Sequence, residues 1–177
     1  MGKPTWHRDY LKNVPWASSY DVTTRLLNER QLGLGAELGI AGGFHIDQIL
    51  LRCPTVSVIG VDLFGGWGPS LADRIAMLDL LAPYGDRFTF LNMSTVCAVT
   101  HVPDGLDWAY VDASHDRPAV ARDLDLWYPK VRKGGLFMGH DYGGEYTEQV
   151  KPAVDRFLRG KGLKLTGVED TVWWIDL

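Results

Sequence analysis

The chain has 177 residues, 46% of them hydrophobic and 23% charged, with a formal charge of −4 and two cysteines. One domain with a sizeable core is expected, residues 1–177, with residues 1–30 as a helical extension and 35–177 as the core. These values argue against a nucleic-acid surface, a disulfide framework and a zinc site; no apolar run reaches the ~18 residues of a membrane span, and no signal peptide is evident, so a cytoplasmic setting is expected.

Tyr20-Asp21-Val22 leads into a helix that the pattern carries to about Arg30. Apolar runs then recur at Ala36–Ile40, Val56–Val61, Phe88–Leu91, Trp108–Val111 and Leu136–Met138. Helical periodicity separates them at 44–51, 70–82, 117–131 and 147–160. Strands alternating with helices of this length predict a parallel sheet covered on both faces. Lys133-Gly134-Gly135 reads as a helix stop before the fifth strand. The tail departs from the alternation: Leu163–Gly167, a turn at Glu169-Asp170, then Val172–Ile175 read as a hairpin. The expected fold is a Rossmann-like three-layer α/β sandwich, a mostly parallel seven-stranded sheet closed by an antiparallel hairpin strand.

The first strand runs into Glu37-Leu38-Gly39-Ile40-Ala41-Gly42-Gly43. Glycines at such a turn let a ligand approach the backbone. The dinucleotide spacing G-x-G-x-x-G fails, because Ala41 and Phe44 stand where glycines are needed, and no Gly-Lys-Ser/Thr follows. What remains is E-x-G-x-x-x-G, whose acid suits a cationic ligand better than a pyrophosphate. The second strand ends on Asp62, a carboxylate placed to take both hydroxyls of a ribose. An ordinary glycine turn with a chance acid is the plainer alternative.

Asp112 and His115 follow the fourth strand, and His140 and Asp141 follow the fifth. Adjacent parallel strands end on one rim, so the two clusters are expected to meet as a metal or acid/base site. Adjacent strand residues face opposite ways, so His140 and Asp141 converge only if the strand has ended before them. Asp116, ahead of Arg117-Pro118, reads as a helix cap. Asp123 and Asp125 read as solvated helix positions, although Asp123 could face the rim; His45 and Asp47 read as helix-surface residues. Asp107 begins a strand and has no clear role. Of Trp173 and Trp174, one ring is expected in the core. Tyr142, Glu145 and Tyr146 could wall an acceptor.

With Glu37/Gly39/Gly43, Asp62, Asn92-Met93-Ser94, Asp112 and Gly134-Gly135 in this order, the chain resembles class I S-adenosylmethionine-dependent methyltransferases from about residue 20 onward. The segments VDASHD and GHDY narrow the resemblance to small metal-dependent O-methyltransferases of the macrolide sugar type. The resemblance implies that Glu37, Gly39 and Gly43 surround the amino-acid end of adenosylmethionine, Asp62 its ribose, and Met93 and Ser94 its adenine, with Asp112 at the same rim. Phe64 and Trp67 would pack on the adenosine or cover the site, ordinary loop packing being the alternative. It implies that Asp112 and Asp141 hold a divalent ion, Mg²⁺ or Mn²⁺, and that His115 is the general base. His140 stands where relatives carry an acid, so it is either a further ligand or packing. The expected reaction is O-methylation of a hydroxyl on a sugar-like or polyol-like small molecule. Alternatives are a non-catalytic cofactor-binding subunit and a metal-dependent hydrolase. No nucleic-acid or membrane partner is expected, and a homo-oligomer is allowed for.

Overall fold

The computed structural model describes residues 17–65 and 69–177. Its elements are α1 (Ala17–Glu29), β1 (Leu34–Leu38), α2 (Phe44–Arg52), β2 (Ser57–Asp62), α3 (Leu71–Leu81), β3 (Phe88–Asn92), α4 (Thr95–Ala98), β4 (Leu106–Val111), α5 (Arg117–Trp127), β5 (Val131–Gly139), α6 (Thr147–Lys161), β6 (Gly167–Glu169) and β7 (Val172–Asp176). The seven strands lie in the order β3-β2-β1-β4-β5-β7-β6. Pairing is parallel from β3 to β5 and antiparallel where β7 joins β5 and β6. The expected Rossmann-like sandwich is therefore the fold observed.

Side-chain alternation along the strands builds a separate core on each face of the sheet. Ala36, Leu38, Ala109, Val111 and Phe137 pack under α5 and α6 with Leu124, Trp127, Val154 and Phe157. On the other face Val58, Trp108, Tyr110, Leu136 and Met138 pack under α1, α2 and α3 with Leu26, Leu27, Ile46, Ile49 and Met77. Both Trp173 and Trp174 are buried, one in each core, because consecutive residues of β7 face opposite layers. The expectation of one buried ring is corrected accordingly.

Strand order reverses between β1 and β4, so the chain leaves these two strands in opposite directions. A crevice forms where they diverge. It is sewn at its base by backbone bonds: Gly39 N–H donates to Val61 O (2.8 Å), Asp112 N–H to Leu38 O (2.9 Å) and His140 N–H to Val111 O (3.2 Å). All three strand-end segments therefore share one rim.

Two local expectations are corrected. Lys133-Gly134-Gly135 stops no helix: α5 ends at Trp127, a short 3-10 turn covers Tyr128–Lys130, and the glycines lie within β5. Pro129 removes a helical donor just after α5, which ends the helix before the glycines are reached. Gly134, at φ 75°, marks an irregularity where β5 pairs Val131 with Leu106 and then Leu136 with Trp108. This is a bulge, which a glycine in the left-handed region permits. The closing hairpin also turns later than read, at Asp170-Thr171, with φ of 46° and 68°. Two consecutive positive φ values are the signature of a two-residue hairpin turn matched to strand twist.

Asp107 has a role after all. Its carboxylate accepts from Gly33 N–H (2.7 Å) and from Arg132 Nε (2.6 Å), joining the starts of β1 and β5 beside β4.

Candidate active site

The rim opens into a cavity of about 820 Å³. One part is lined by Glu37, Gly39, Asp62, Met93 and Ser94, another by Asp112, His115, His140, Asp141, Glu145 and Tyr146. Two groups of residues far apart in sequence thus face a single space of the size that small-molecule ligands occupy.

Glu37 sits in β1 with its side chain turned toward α1 and α2, and it is 2% exposed. His45 Nδ1 lies 2.8 Å from Glu37 Oε2, and His45 Nε2 lies 3.0 Å from Thr23 Oγ1. Burial pushes the Glu37 carboxyl above its ordinary range, and the adjacent imidazole works against that push. His45 is not a helix-surface residue. Its ring stands between Tyr20 and Tyr110, with centroids 5.5 and 4.4 Å away. Asp47 is also buried, and its Oδ1 accepts from Tyr84 OH at 2.6 Å.

Asp62 Oδ2 accepts from the amides of Ile40 (2.9 Å) and Ala41 (2.8 Å). The acid ending β2 therefore fixes the glycine loop as well as facing the cavity. The loop glycines serve the protein's own chain. A Cβ on Gly39, at φ 81°, would stand 2.1 Å from Asp112 O; one on Gly43, at φ 75°, would stand 2.8 Å from Met77 Cγ. Gly39 makes room for the loop after β4, whereas Gly43 lets α2 start against α3 and lies outside the cavity lining. Phe64 packs edge-on to Phe90, with ring centroids 5.7 Å apart, rather than lining the cavity. Trp67 lies outside the described residues.

Met93 and Ser94 are held from behind. Ser94 caps α4 by accepting from Cys97 N–H (3.3 Å), and Thr95 Oγ1 donates to Asp123 Oδ1 (2.7 Å). Asp123 is 2% exposed, not solvated, and burial raises its pKa. Asp125 on the outer side of α5 is exposed as expected.

β5 ends at Gly139, so His140 and Asp141 lie beyond the strand. Asp141 adopts φ 58°, a left-handed conformation that Asp tolerates better than most residues. The condition for convergence is met. His115 Nε2 lies 2.9 Å from Asp141 Oδ2 and 3.7 Å from Asp112 Oδ1. Ligand atoms from Asp112, His115 and Asp141 fall within 4.8 Å of one another. Two carboxylate oxygens and one imidazole nitrogen form a donor set that suits a divalent cation. His140 is turned aside: Nδ1 lies 3.2 Å from Asp141 Oδ1 and Nε2 lies 2.8 Å from Thr171 Oγ1. Thr171, at the strained hairpin turn, thus helps to orient the loop, and no sequence pattern pointed to it.

The titration of this group follows from its geometry. The Asp112 and Asp141 carboxylates beside its ring raise His115 to about 9, against a smaller opposing effect of burial. Burial would raise Asp141, but hydrogen bonds and charge from His115 and His140 hold it well below the usual carboxylate range. Burial raises Asp112, tempered by His115 and by the third of its side chain that water reaches. A His raised on folding contributes stability that is complete below its unfolded pKa of ~6.5 and is lost as pH rises through the folded value. The metal-free protein should therefore lose stability between pH 6.5 and about 9. Urea midpoints measured across that window should fall in the wild type, with a smaller fall in His115→Gln.

His115 also stacks on Tyr146, ring centroids 3.9 Å apart at 12°. Glu145 and Tyr146 reach the cavity, whereas Tyr142 turns to α6, where its OH donates to Asp155 Oδ1 (2.6 Å). Asp116 holds the N-cap position of α5 without making a side-chain cap bond.

The family described as Methyltransferase domain matches residues 36–142. The chain belongs to that family. The match begins in β1 and ends just beyond Asp141, so it contains Glu37, Gly39, Asp62, Met93, Ser94, Asp112, His115, His140 and Asp141, while Glu145 and Tyr146 lie beyond it. Among solved structures this methyltransferase domain is similar to the SAH-bound methyltransferase PaMTH1 of Podospora anserina, at 14% identity and TM-score 0.70, covering 99% of this chain and 89% of that one. It is similar to an O-methyltransferase from Bacillus cereus in complex with SAH, at 11% identity and TM-score 0.70, covering 99% and 92%. A third is the O-methyltransferase TomG of Streptomyces achromogenes, involved in tomaymycin synthesis and in complex with SAM, at 13% identity and TM-score 0.66, covering 90% and 80%. Among curated proteins, an uncharacterized protein of Acanthamoeba polyphaga mimivirus is 34% identical over 58 residues, 32% of this chain and 26% of that protein. The chain thus matches about a quarter of that relative's length.

Proposed function

We propose that the chain is an S-adenosylmethionine-dependent O-methyltransferase that methylates a hydroxyl of a small, sugar-like or polyol-like acceptor with the help of a divalent ion. One observation carries the reading. Asp112, His115 and Asp141 meet on the same cavity that Glu37, Gly39, Asp62, Met93 and Ser94 line. The three solved neighbours named above, all of which hold SAM or SAH, support the choice of methyl donor.

In this reading Asp62 offers its second oxygen to the ribose while the first holds the glycine loop. Glu37, partnered by His45, faces the cationic amino-acid end, and Met93 provides an apolar surface for the adenine. Asp112 and Asp141 would hold Mg²⁺ or Mn²⁺, which lowers the pKa of an acceptor hydroxyl and orients its oxygen. His140, turned to Thr171, supports Asp141 rather than completing the ligand set.

A cation there would serve His115 as well. With its pKa at about 9 it keeps its proton at neutral pH, and an imidazolium accepts none. A cation held by Asp112 and Asp141 would offset the carboxylate charge that raises His115, and its Nε2 would then be able to take the acceptor's proton. His115→Gln should then lower kcat by more than it weakens metal binding, which in this reading rests mainly on the two carboxylates. The setting is proposed to be cytoplasmic, with Cys53 and Cys97 as free thiols. Among the described residues no helix is long and apolar enough to cross a membrane.

The test is calorimetry with S-adenosylmethionine, with and without Mg²⁺ or Mn²⁺. Binding of the methyl donor is expected in both conditions, and its absence from both would sink the reading.

A further inference from the structure

α1 lies before the matched stretch 36–142, yet it forms one wall of the cavity, where Ser19 and Tyr20 stand with Glu37 and His45. One turn beyond Ser19, Thr23 is fully buried and is not part of the cavity lining. Its Oγ1 lies 3.0 Å from His45 Nε2, and His45 Nδ1 lies 2.8 Å from Glu37 Oε2. An ionised carboxylate only accepts, so the pairing puts a proton on Nδ1, which donates to Glu37. Nε2 then meets a hydroxyl, a group that can donate or accept. One chain of hydrogen bonds thus runs from α1 through α2 to the acid that precedes the glycine loop.

Glu37 needs such support. It is almost wholly withdrawn from water, where an ionised carboxylate is costly unless it is paired and hydrogen-bonded. Burial pushes its carboxyl upward, the His45 imidazole opposes that push, and Asp112 and Asp62 add to it. Tyr20 and Tyr110 flank the imidazole and limit its rotation.

We propose that His45 and Thr23 are positioning residues for the methyl donor. They keep the Glu37 carboxylate charged and aimed at the ammonium of the donor's amino-acid end, and so make the site selective for nucleosides that carry that group. Thr23 acts without touching the donor. The proposal rests on the reading of this cavity as the donor site.

Calorimetry of the full chain with two nucleosides tests it. S-adenosylhomocysteine carries the amino-acid end, and methylthioadenosine is the same thioether cut back to a methyl group. His45→Phe keeps an aromatic ring between Tyr20 and Tyr110 but removes both hydrogen bonds. It should weaken S-adenosylhomocysteine binding by about 10–100-fold. Thr23→Val is close in shape, lacks the hydroxyl and serves should His45→Phe fail to fold; it should weaken that binding by about three- to tenfold. His45→Asn, whose amide donates from near the Nδ1 position, should recover part of the loss. Methylthioadenosine should bind every variant within about twofold of the wild type, since none of them alters a group it needs. In a Glu37→Gln background Thr23→Val should change neither affinity, because the charge it serves is gone. Equal losses for the two nucleosides would make the pair merely structural and overturn the proposal, as would unchanged S-adenosylhomocysteine affinity in His45→Phe. A wild type that binds neither nucleoside would remove the donor-site reading, and this proposal with it.

Discussion

Asp141→Asn should lower kcat/KM for methyl transfer by about 10²–10³-fold, a few kcal/mol of barrier. Asn has the same shape and tolerates the left-handed backbone at this position, φ 58°, so the loop should keep its course. What is lost is charge. One of the two carboxylates proposed to hold the cation becomes a neutral amide, and His115 loses its nearer acidic partner at 2.9 Å. His115 should consequently titrate below the value of about 9 it has in the wild type, which an NMR titration of the metal-free variant would follow. Asp125→Asn, on the exposed side of α5, is the control and should leave the rate unchanged. Full activity in Asp141→Asn would remove the metal from the mechanism.

Gly39→Ala should destabilise the protein by about 3–5 kcal/mol. Two costs combine. The residue stands at φ 81°, where a Cβ is strained, and that Cβ would lie 2.1 Å from the carbonyl oxygen of Asp112 and 2.5 Å from Ala113 Cα. Both neighbours are backbone, so neither can swing aside as a side chain would. Relief requires the loop after β4 to move, which displaces Asp112 from Asp141. Chemical denaturation should register the loss, and donor affinity should fall with it. Gly65→Ala offers a contrast: it shares a positive φ of 104° but has open space at the Cβ position, so only the strain term applies.

Much of this protein is legible before any coordinates. The buried strands are continuous apolar runs because parallel strands are covered on both faces, and β1, β2, β4 and β7 lie within a few residues of the runs that announced them. Asp112, His115 and Asp141 could be named as one cluster because strand ends in an open parallel sheet share a rim. The errors have a common origin. His45, Asp47 and Asp123 read as surface residues because helical periodicity assigns polar residues to the solvent side. Each is instead drawn inward by partners on other elements: His45 by Glu37 and Thr23, Asp47 by Tyr84, and Asp123 by Thr95. Thr171 carried no signal at all. Its hydroxyl reaches His140 because the hairpin turns one residue later than its composition suggested.

By itself, then, the chain's order of apolar runs, glycine turns and strand-end acids determined the sandwich, the rim and the carboxylates on it. Those follow from local periodicity and from the few ways in which alternating strands and helices can stack. Only the tertiary structure decided which polar side chains pair, that Gly39 yields space to the loop after β4, and that His140 turns to Thr171 and leaves Asp112, His115 and Asp141 to face one another. Such choices depend on distances of about 3 Å between segments up to 74 residues apart, and no pattern of neighbours along the chain encodes a distance of that kind.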